Sequence, residues 1–371
     1  MRVLVAPDRF GAALTAAHAA EAIAEGWART APRDELIRVP MGDGGVGFMA
    51  ALHAALGGTL QAVTVRGPLG DATPASVLHV GRTAYVEAAQ AAGAHLMVEP
   101  TPWRASSHGV GETILAACAG GARRVVVGLG GLGVNDGGAG LLAALGARAD
   151  RPLAAGPGGL RGVRTVDLSS VRERLAGIDL VAATDGDLPL LGMFGTTKTH
   201  GTQRGLAEEE IVAVDAVLDE FVVACCGSAP AERRVADAPG AGAGGGVGFA
   251  LALLGAEHAP GAAVVADAVA LDDACATADL VVSGEATFDH TSRAGTVVHE
   301  VAGRAAAAAR PCIALAHEVT VGAREMRAMG VESAYAAGDR VSPAQVSADP
   351  RAALAALAER VARTWSPGAT G

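Results

Sequence analysis

A run of turns in this chain carries a carboxylate, in most of them beside glycine. They are Ala6-Pro7-Asp8, Gly42-Asp43-Gly44-Gly45, Asn135-Asp136-Gly137-Gly138, Thr184-Asp185-Gly186-Asp187 and Gly284-Glu285, most of them directly after a short apolar run. One Asp-Gly alone is an ordinary turn dipeptide. Five carboxylate turns gathered at strand ends would be a different object. Converging carboxylates can bind a divalent cation such as Mg²⁺ and accept a proton from a substrate hydroxyl. Phosphoryl transfer needs those parts: a metal to neutralise phosphate oxygens, and groups that position an in-line attack.

Two glycine-rich segments are suited to facing an anion. Gly128-Leu129-Gly130-Gly131-Leu132-Gly133 runs into Asn135-Asp136, and Gly240-Ala241-Gly242-Ala243-Gly244-Gly245-Gly246 opens a helix at Val247. Glycines permit backbone angles that aim successive N–H groups at one point, and a helix N-terminus adds partial positive charge. The same glycines equally suit close helix–strand packing, and composition does not separate the two. Lys198 is the only lysine of the chain, followed by His200-Gly201-Thr202-Gln203-Arg204-Gly205. It reads either as a phosphate contact or as a surface lysine.

Other chemistries are excluded by what the chain lacks. Gly195-Thr196-Thr197-Lys198-Thr199 has no glycine directly before the lysine and is no P-loop. There is no GxSxG elbow and no HExxH pair. Gly128-x-Gly130-x-x-Gly133 matches the letters of a dinucleotide fingerprint, but Asn135-Asp136 puts a carboxylate where the pyrophosphate would lie. A dinucleotide oxidoreductase is therefore disfavoured. The net charge of −10 argues against binding to nucleic acid or an anionic membrane. At 3% aromatic residues, stacking platforms for bases are not expected either.

The elements that must position these turns follow from periodicity. Apolar runs at 2–6, 35–39, 60–65, 76–80, 83–88, 124–128, 180–184, 279–283, 312–316 and 333–337 read as strands. Helical spacing marks 16–27, 46–56, 111–118, 138–145, 207–225, 297–309, 322–329 and 350–364. Strands alternating with helices indicate parallel sheets covered on both faces, with ligands at the carboxyl ends of the strands. Segments 151–162 and 226–246 read as the least regular. A length of 371 residues allows two domains, and 50% apolar residues allow a large core. The five cysteines are too scattered for a disulfide framework or a zinc site and read as small buried hydrophobes in a reducing cytoplasm. No leader or membrane-spanning segment is expected.

Taken in order, the motifs resemble the bacterial glycerate kinase family. Val5-Ala6-Pro7-Asp8-x-Phe10, Asp43-Gly44-Gly45-x-Gly47, Gly130-Gly131 through Asn135-Asp136-Gly137-Gly138-Ala139-Gly140, Asp185-x-Asp187-x-Pro189-Leu190-x-Gly192, Gly201-x-Gln203-Arg204-Gly205, Pro239-Gly240-Ala241-Gly242-Ala243 and Gly284-Glu285-x-x-x-Asp289 carry the resemblance across nearly the whole chain. It implies an α/β fold of two domains: one Rossmann-like with a parallel sheet, the other a second α/β domain, and an active-site cleft between them. We expect a discontinuous Rossmann-like domain over 1–62 and 276–371 and a second domain over 63–275. The implied activity is ATP-dependent phosphorylation of a small hydroxy acid, with glycerate as the default and Mg²⁺ as the metal, in the cytoplasm. A homodimer is compatible with this reading.

On that resemblance Asp185, Asp187 and Asp8 are the expected catalytic residues, with Asp185 and Asp187 also on the metal. Substrate or phosphate contacts are expected from Asp43, Gly130, Gly131, Asn135, Asp136, Lys198, Gln203, Arg204, Gly242, Gly244, Glu285 and Asp289. The chain also departs from the family pattern. Asp8-Arg9-Phe10-Gly11-Ala12-Ala13 lacks the usual lysine and serines, Val46 replaces a glutamate, Leu132-Gly133-Val134 replace hydroxyl residues, Arg293 stands near the place of a second lysine, and His317 replaces glycine. Arg9 and Arg293 are the candidate replacement cations, although Arg and Lys differ in donor geometry. The departures leave two alternatives open: a catalytically impaired member acting as a ligand-binding or interaction protein, or a kinase for a different hydroxylated substrate.

Overall fold

The computed structural model describes the chain except for residues 98–100, 185, 294, 340–341 and 368–371. It divides into two units. The first comprises Met1–Asp43, Ala50–Gly57 and Gly261–Gly371, and the second Gly44–Met49 and Gly58–Pro260.

In the first unit five strands pair in the order Ser333–Ala336, Cys312–Val319, Leu280–Phe288, Arg2–Val5, Glu35–Arg38, all parallel. Val3, Leu4 and Val5 are each 0% exposed, as expected of a strand covered on both faces. The helix Ala16–Thr30 starts at Thr15, whose hydroxyl accepts from the His18 N–H. It buries Ala16, Ala20, Ile23 and Trp27, one face at helical spacing, against Leu354, Leu357, Ala358 and Val361 of the helix Pro350–Trp365. The strand order reverses between Arg2–Val5, which leads to Glu35–Arg38 on one side, and Leu280–Phe288, which leads to Cys312–Val319 on the other. In an open parallel sheet the crevice at such a reversal, beyond the carboxyl ends of the strands, is where ligands bind. Asp8 and Glu285 stand at those ends.

The second unit holds a six-stranded sheet in the order Glu257–Pro260, Asp179–Thr184, Arg124–Gly128, Thr83–Glu87, Ala72–Val80, Thr59–Arg66. The first four are parallel and the last three form an antiparallel meander through tight turns. The carboxyl ends of Arg124–Gly128 and Asp179–Thr184 open into the glycine and aspartate turns singled out above. Among the described residues no helix is long and apolar enough to cross a membrane. The five cysteines are free thiols.

The structure departs from the sequence reading in places. Segment 226–246 contains a helix, Pro230–Asp237, with proline at its first turn and Glu232 accepting from the Ala229 N–H at 2.9 Å. Helices Gly261–Ala268 and Leu271–Thr277 belong to the first unit, not the second. The Arg304 guanidinium gathers Asp267 and Asp272 from them at 2.7 and 2.8 Å. The strand Thr59–Arg66 belongs wholly to the second sheet; the chain enters that unit first over Gly44–Met49 and returns to it after Gly57 rather than after residue 62.

The two glycine loops meet in the second unit. Gly137 N–H donates to Gly245 O at 3.0 Å. Gly245 has φ +69°, and a Cβ there would lie 2.0 Å from Val134 O. Both the left-handed angle and the contact exclude a side chain. The expected result for Gly245→Ala is a loss of about 2–4 kcal/mol of stability, read from urea melts.

Candidate active site

In the first unit, the turn after Arg2–Val5 stays hydrogen-bonded between its neighbours. Ala6 N–H donates to Val282 O and Asp8 N–H to Gly284 O, both at 2.8 Å, while Met41 N–H donates to Pro7 O at 3.0 Å. The Ser283 hydroxyl donates to Ala6 O at 2.9 Å. This ladder holds Asp8 near Asp43 and Glu285 at the carboxyl edge of the sheet. Burial, then the charges of Asp43 and Glu285, raise the Asp8 carboxyl to about 7, against the N–H and charge of Arg9. Glu285 is likewise raised to about 7 by burial and by Asp289 and Asp43, although a Ser292 hydrogen bond opposes the shift. Among the described residues Glu285 Oε1 is buried without a hydrogen-bond partner. Such carboxyls hold a proton at neutral pH or release it to a cation. Asp289 instead accepts from Thr291 N–H and Oγ1, at 2.7 and 2.6 Å, and these bonds hold its carboxyl below the usual range.

The two candidate replacement cations are engaged elsewhere. The Arg293 guanidinium pairs with Glu325, and among the described residues Arg9 Nη1 reaches Gly11 O, at 3.5 Å. His317 sits edge-on to Phe10 with ring centroids 4.9 Å apart, and burial lowers its pKa, so the imidazole is neutral at pH 7.

In the second unit a cavity of about 350 Å³ opens at the carboxyl ends of the parallel strands. Its wall includes Gly130 and Gly131 from the first glycine loop, Gly242 and Gly244 from the second, and Gln203 and Arg204. A Cβ at Gly130 would stand 2.6 Å from Gly45 Cα, so the wall there is bare backbone for reasons of packing as well. Arg204 is the cation of this cavity. Its Nη1 donates to Thr196 Oγ1 at 2.9 Å, Asn135 Oδ1 at 3.3 Å and Thr196 O at 3.4 Å. Asn135, 1% exposed, is itself held by donating to Thr197 Oγ1 at 3.0 Å. No described carboxylate lies within 4 Å of the guanidinium, and burial alone lowers its pKa to about 10. A largely desolvated cation with neutral partners favours an anion strongly.

Other expected residues take other roles. Asp136 is 0% exposed and accepts from Ser107 N–H and Oγ, Gly138 N–H and Gly140 N–H. Its carboxylate ties the glycine loop together and is not among the residues that line this cavity. Lys198 Nζ lies 3.4 Å from Asp215 Oδ2 and is absent from the cavity wall. Asp187 is exposed on the turn after Asp179–Thr184, where Thr184 Oγ1 and the Gly186 backbone hydrogen-bond each other at 3.0 and 3.1 Å. Asp185 lies outside the described residues. Among the described residues, no three His, Cys, Asp or Glu side chains are grouped to hold a metal ion by themselves.

The sequence reading passed over His200, which lines the cavity with its Nδ1 3.1 Å from Gln203 Oε1. The signal was its position one turn before Gln203-Arg204. It also passed over Thr184 and Leu188, uncharged wall residues that no motif marks.

Comparison with known proteins gives consistent results. A family model described as the Glycerate kinase family matches residues 3–366. A glycerate 2-kinase of Escherichia coli is 34% identical over 344 residues, 90% of each chain. A glycerate kinase of Halalkalibacterium halodurans is 33% identical over 348 residues, 91% of each. A crystal structure of a glycerate kinase 2 from Salmonella typhimurium matches with TM-score 0.84 at 31% identity, over 99% of both chains.

Proposed function

Because the chain belongs to the Glycerate kinase family and is therefore a phosphotransferase, we propose that it transfers the terminal phosphoryl group of ATP to a small hydroxy acid, glycerate by default. The observation that carries this reading is Arg204, a cation without a described carboxylate partner in a glycine-walled cavity sized for a small anion. Its guanidinium takes phosphate or carboxylate oxygens, while Asn135 and Thr196 fix its orientation. Gly130, Gly131, Gly242 and Gly244 let the anion approach backbone closely.

In the first unit Asp8 is the proton acceptor for the attacking hydroxyl, since a group titrating near the working pH both takes and releases a proton readily. Mg²⁺ fits the donor set there. Among the described residues Glu285 Oε1 is buried without a hydrogen-bond partner, and Asp43 lies close enough to raise the proton affinity of Asp8. Mg²⁺ in phosphoryl-transfer sites needs one or two carboxylates, the rest of its shell coming from water and phosphates. When bound, the ion supplies neutralisation of phosphate charge. Asp185 and Asp187 are the further carboxylates we assign to metal and proton handling. Asp187 is solvent-exposed, so Asp187→Asn is expected to lower turnover at least tenfold while leaving Tm within a few degrees. A coupled ADP-release assay beside a melting curve checks both halves.

One observation favours the catalytically impaired alternative: Arg293, near the place of a family lysine, is paired with Glu325. The deciding experiment is glycerate-dependent ADP release by purified protein with ATP and Mg²⁺. Nucleotide binding without release would sink the kinase reading and leave a binding protein. Release with other hydroxy acids but not glycerate would reassign the substrate.

A further inference from the structure

A second cavity in the Arg204 unit stands apart from the first. It measures about 310 Å³, and its wall includes Arg66, Arg104, Ser106 and His108, none of which lines the glycine-loop cavity. Arg66 Nε lies 3.6 Å from Glu112 Oε1, and His108 Nδ1 lies 3.4 Å from the same oxygen. No described carboxylate is within 4 Å of Arg104. Two guanidiniums against one glutamate leave a net positive wall. His108 opens the 12-residue helix His108–Ala119, whose N-terminal end adds further positive potential. The Ser106 hydroxyl, in a residue 5% exposed, has no hydrogen-bond partner among the described residues.

The wall of this cavity is connected to the glycine loop by covalent neighbours and short hydrogen bonds. Ser107 N–H and Oγ donate to Asp136 Oδ2 at 2.8 and 2.9 Å, and Ser107 Oγ accepts from Leu141 N–H at 3.0 Å. Asp136 in turn holds Gly138 and Gly140, at 3.0 and 3.1 Å. The Ser106 hydroxyl abuts Gly140 so closely that a Cβ there would be 2.1 Å away. A ligand that orders residues 106–108 therefore orders the turn leading from Asn135, the residue behind Arg204. Coupling between sites needs such a contiguous element that both can bias.

We propose that this cavity is an effector site for a small phosphate monoester, acting on the glycine loop through Ser107 and Asp136. Two arginines and a helix N-terminus suit the oxygens of a phosphate, and the volume suits a three-carbon ester. The proposal stands apart from the kinase reading, because it is read by binding without nucleotide.

The test titrates the full chain calorimetrically with 2-phosphoglycerate and, separately, with inorganic phosphate. Wild type, the Arg66→Ala/Arg104→Ala double variant and Arg204→Met are compared, each first shown to melt cooperatively. The expected result is a binding event that the double variant weakens at least tenfold and Arg204→Met retains. Amide exchange at Gly138, Gly140 and Leu141 should slow when ester is added to Arg204→Met, and not when it is added to the double variant. Equal affinity for inorganic phosphate would identify free phosphate as the ligand; weaker binding would assign the ester. Loss of all binding in Arg204→Met, or equal affinity in Arg204→Met and in the same variant carrying Arg66→Ala and Arg104→Ala, overturns the proposal. Turnover is measured separately, so a silent kinase assay leaves this result readable.

Discussion

Arg204→Met lowers kcat/KM for the phosphoryl acceptor by about 10²- to 10³-fold, the range seen when one preorganised donor to a charged centre is removed. Methionine keeps the apolar stem and removes the charge, so the effect reports the guanidinium rather than packing. Stability should change little. Burial already lowers the Arg204 pKa to about 10 with no described acid to offset it, so the native state gains little from the charge. Arg204→Lys should recover only part of the activity, because a lysine offers a point charge in place of a planar fork. Steady-state kinetics beside a melting curve separates these outcomes. A methionine variant with wild-type kcat/KM would move the anion site away from this cavity.

Asp8→Asn lowers turnover by about 10²- to 10⁴-fold, the usual contribution of a general base, and makes the protein more stable at pH 8. The sign follows from proton binding. Asp8 and Glu285 are raised from ordinary values of 3.8 and 4.5 to about 7 in the folded chain. Across that window the native state binds more protons than the unfolded chain, so stability falls as pH rises from about 4 to 7 and is level above. Asparagine removes the Asp8 share of this cost. The variant should therefore melt a few degrees above wild type at pH 8, with the gain vanishing towards pH 4. Melting curves at both pH values check it. A destabilised variant at pH 8 would show that Asp8 supports the fold instead of straining it. Functional groups held at the expense of stability are a common feature of active sites.

Much of the fold was legible because its signals are local. The strand Arg124–Gly128 matches its apolar run residue for residue, and Ala16–Thr30 shows its buried face at helical spacing. The limits of that signal are also physical. Strands Leu280–Phe288 and Cys312–Val319 run on past the first apolar run because they pair with each other, Thr287 with Glu318 and Phe288 with Val319. Thr287 and Glu318 are exposed, and pairing between such residues leaves no hydrophobic trace. The helix Pro230–Asp237 was hidden for a related reason: it buries only Ala236, and its start is marked by proline and Glu232 instead of periodicity.

The candidate site divides in the same way. Residue types and their order determined the family, the parallel-sheet architecture and the loops that bear chemistry, because backbone geometry at strand ends and glycine turns is set by near neighbours. Which carboxylate stays available, and which is consumed, only the tertiary structure decided. Asp8 and Asp136 are both aspartates in strand-end turns, yet one faces other carboxylates and the other is filled by four donors from Ser107, Gly138 and Gly140. Lys198 and Arg204 are likewise both cations in one segment, and Asp215 claims the first while only neutral partners are found on the second. Charge and burial depend on partners many residues away in the chain, and that long-range pairing is the information a linear pattern does not contain.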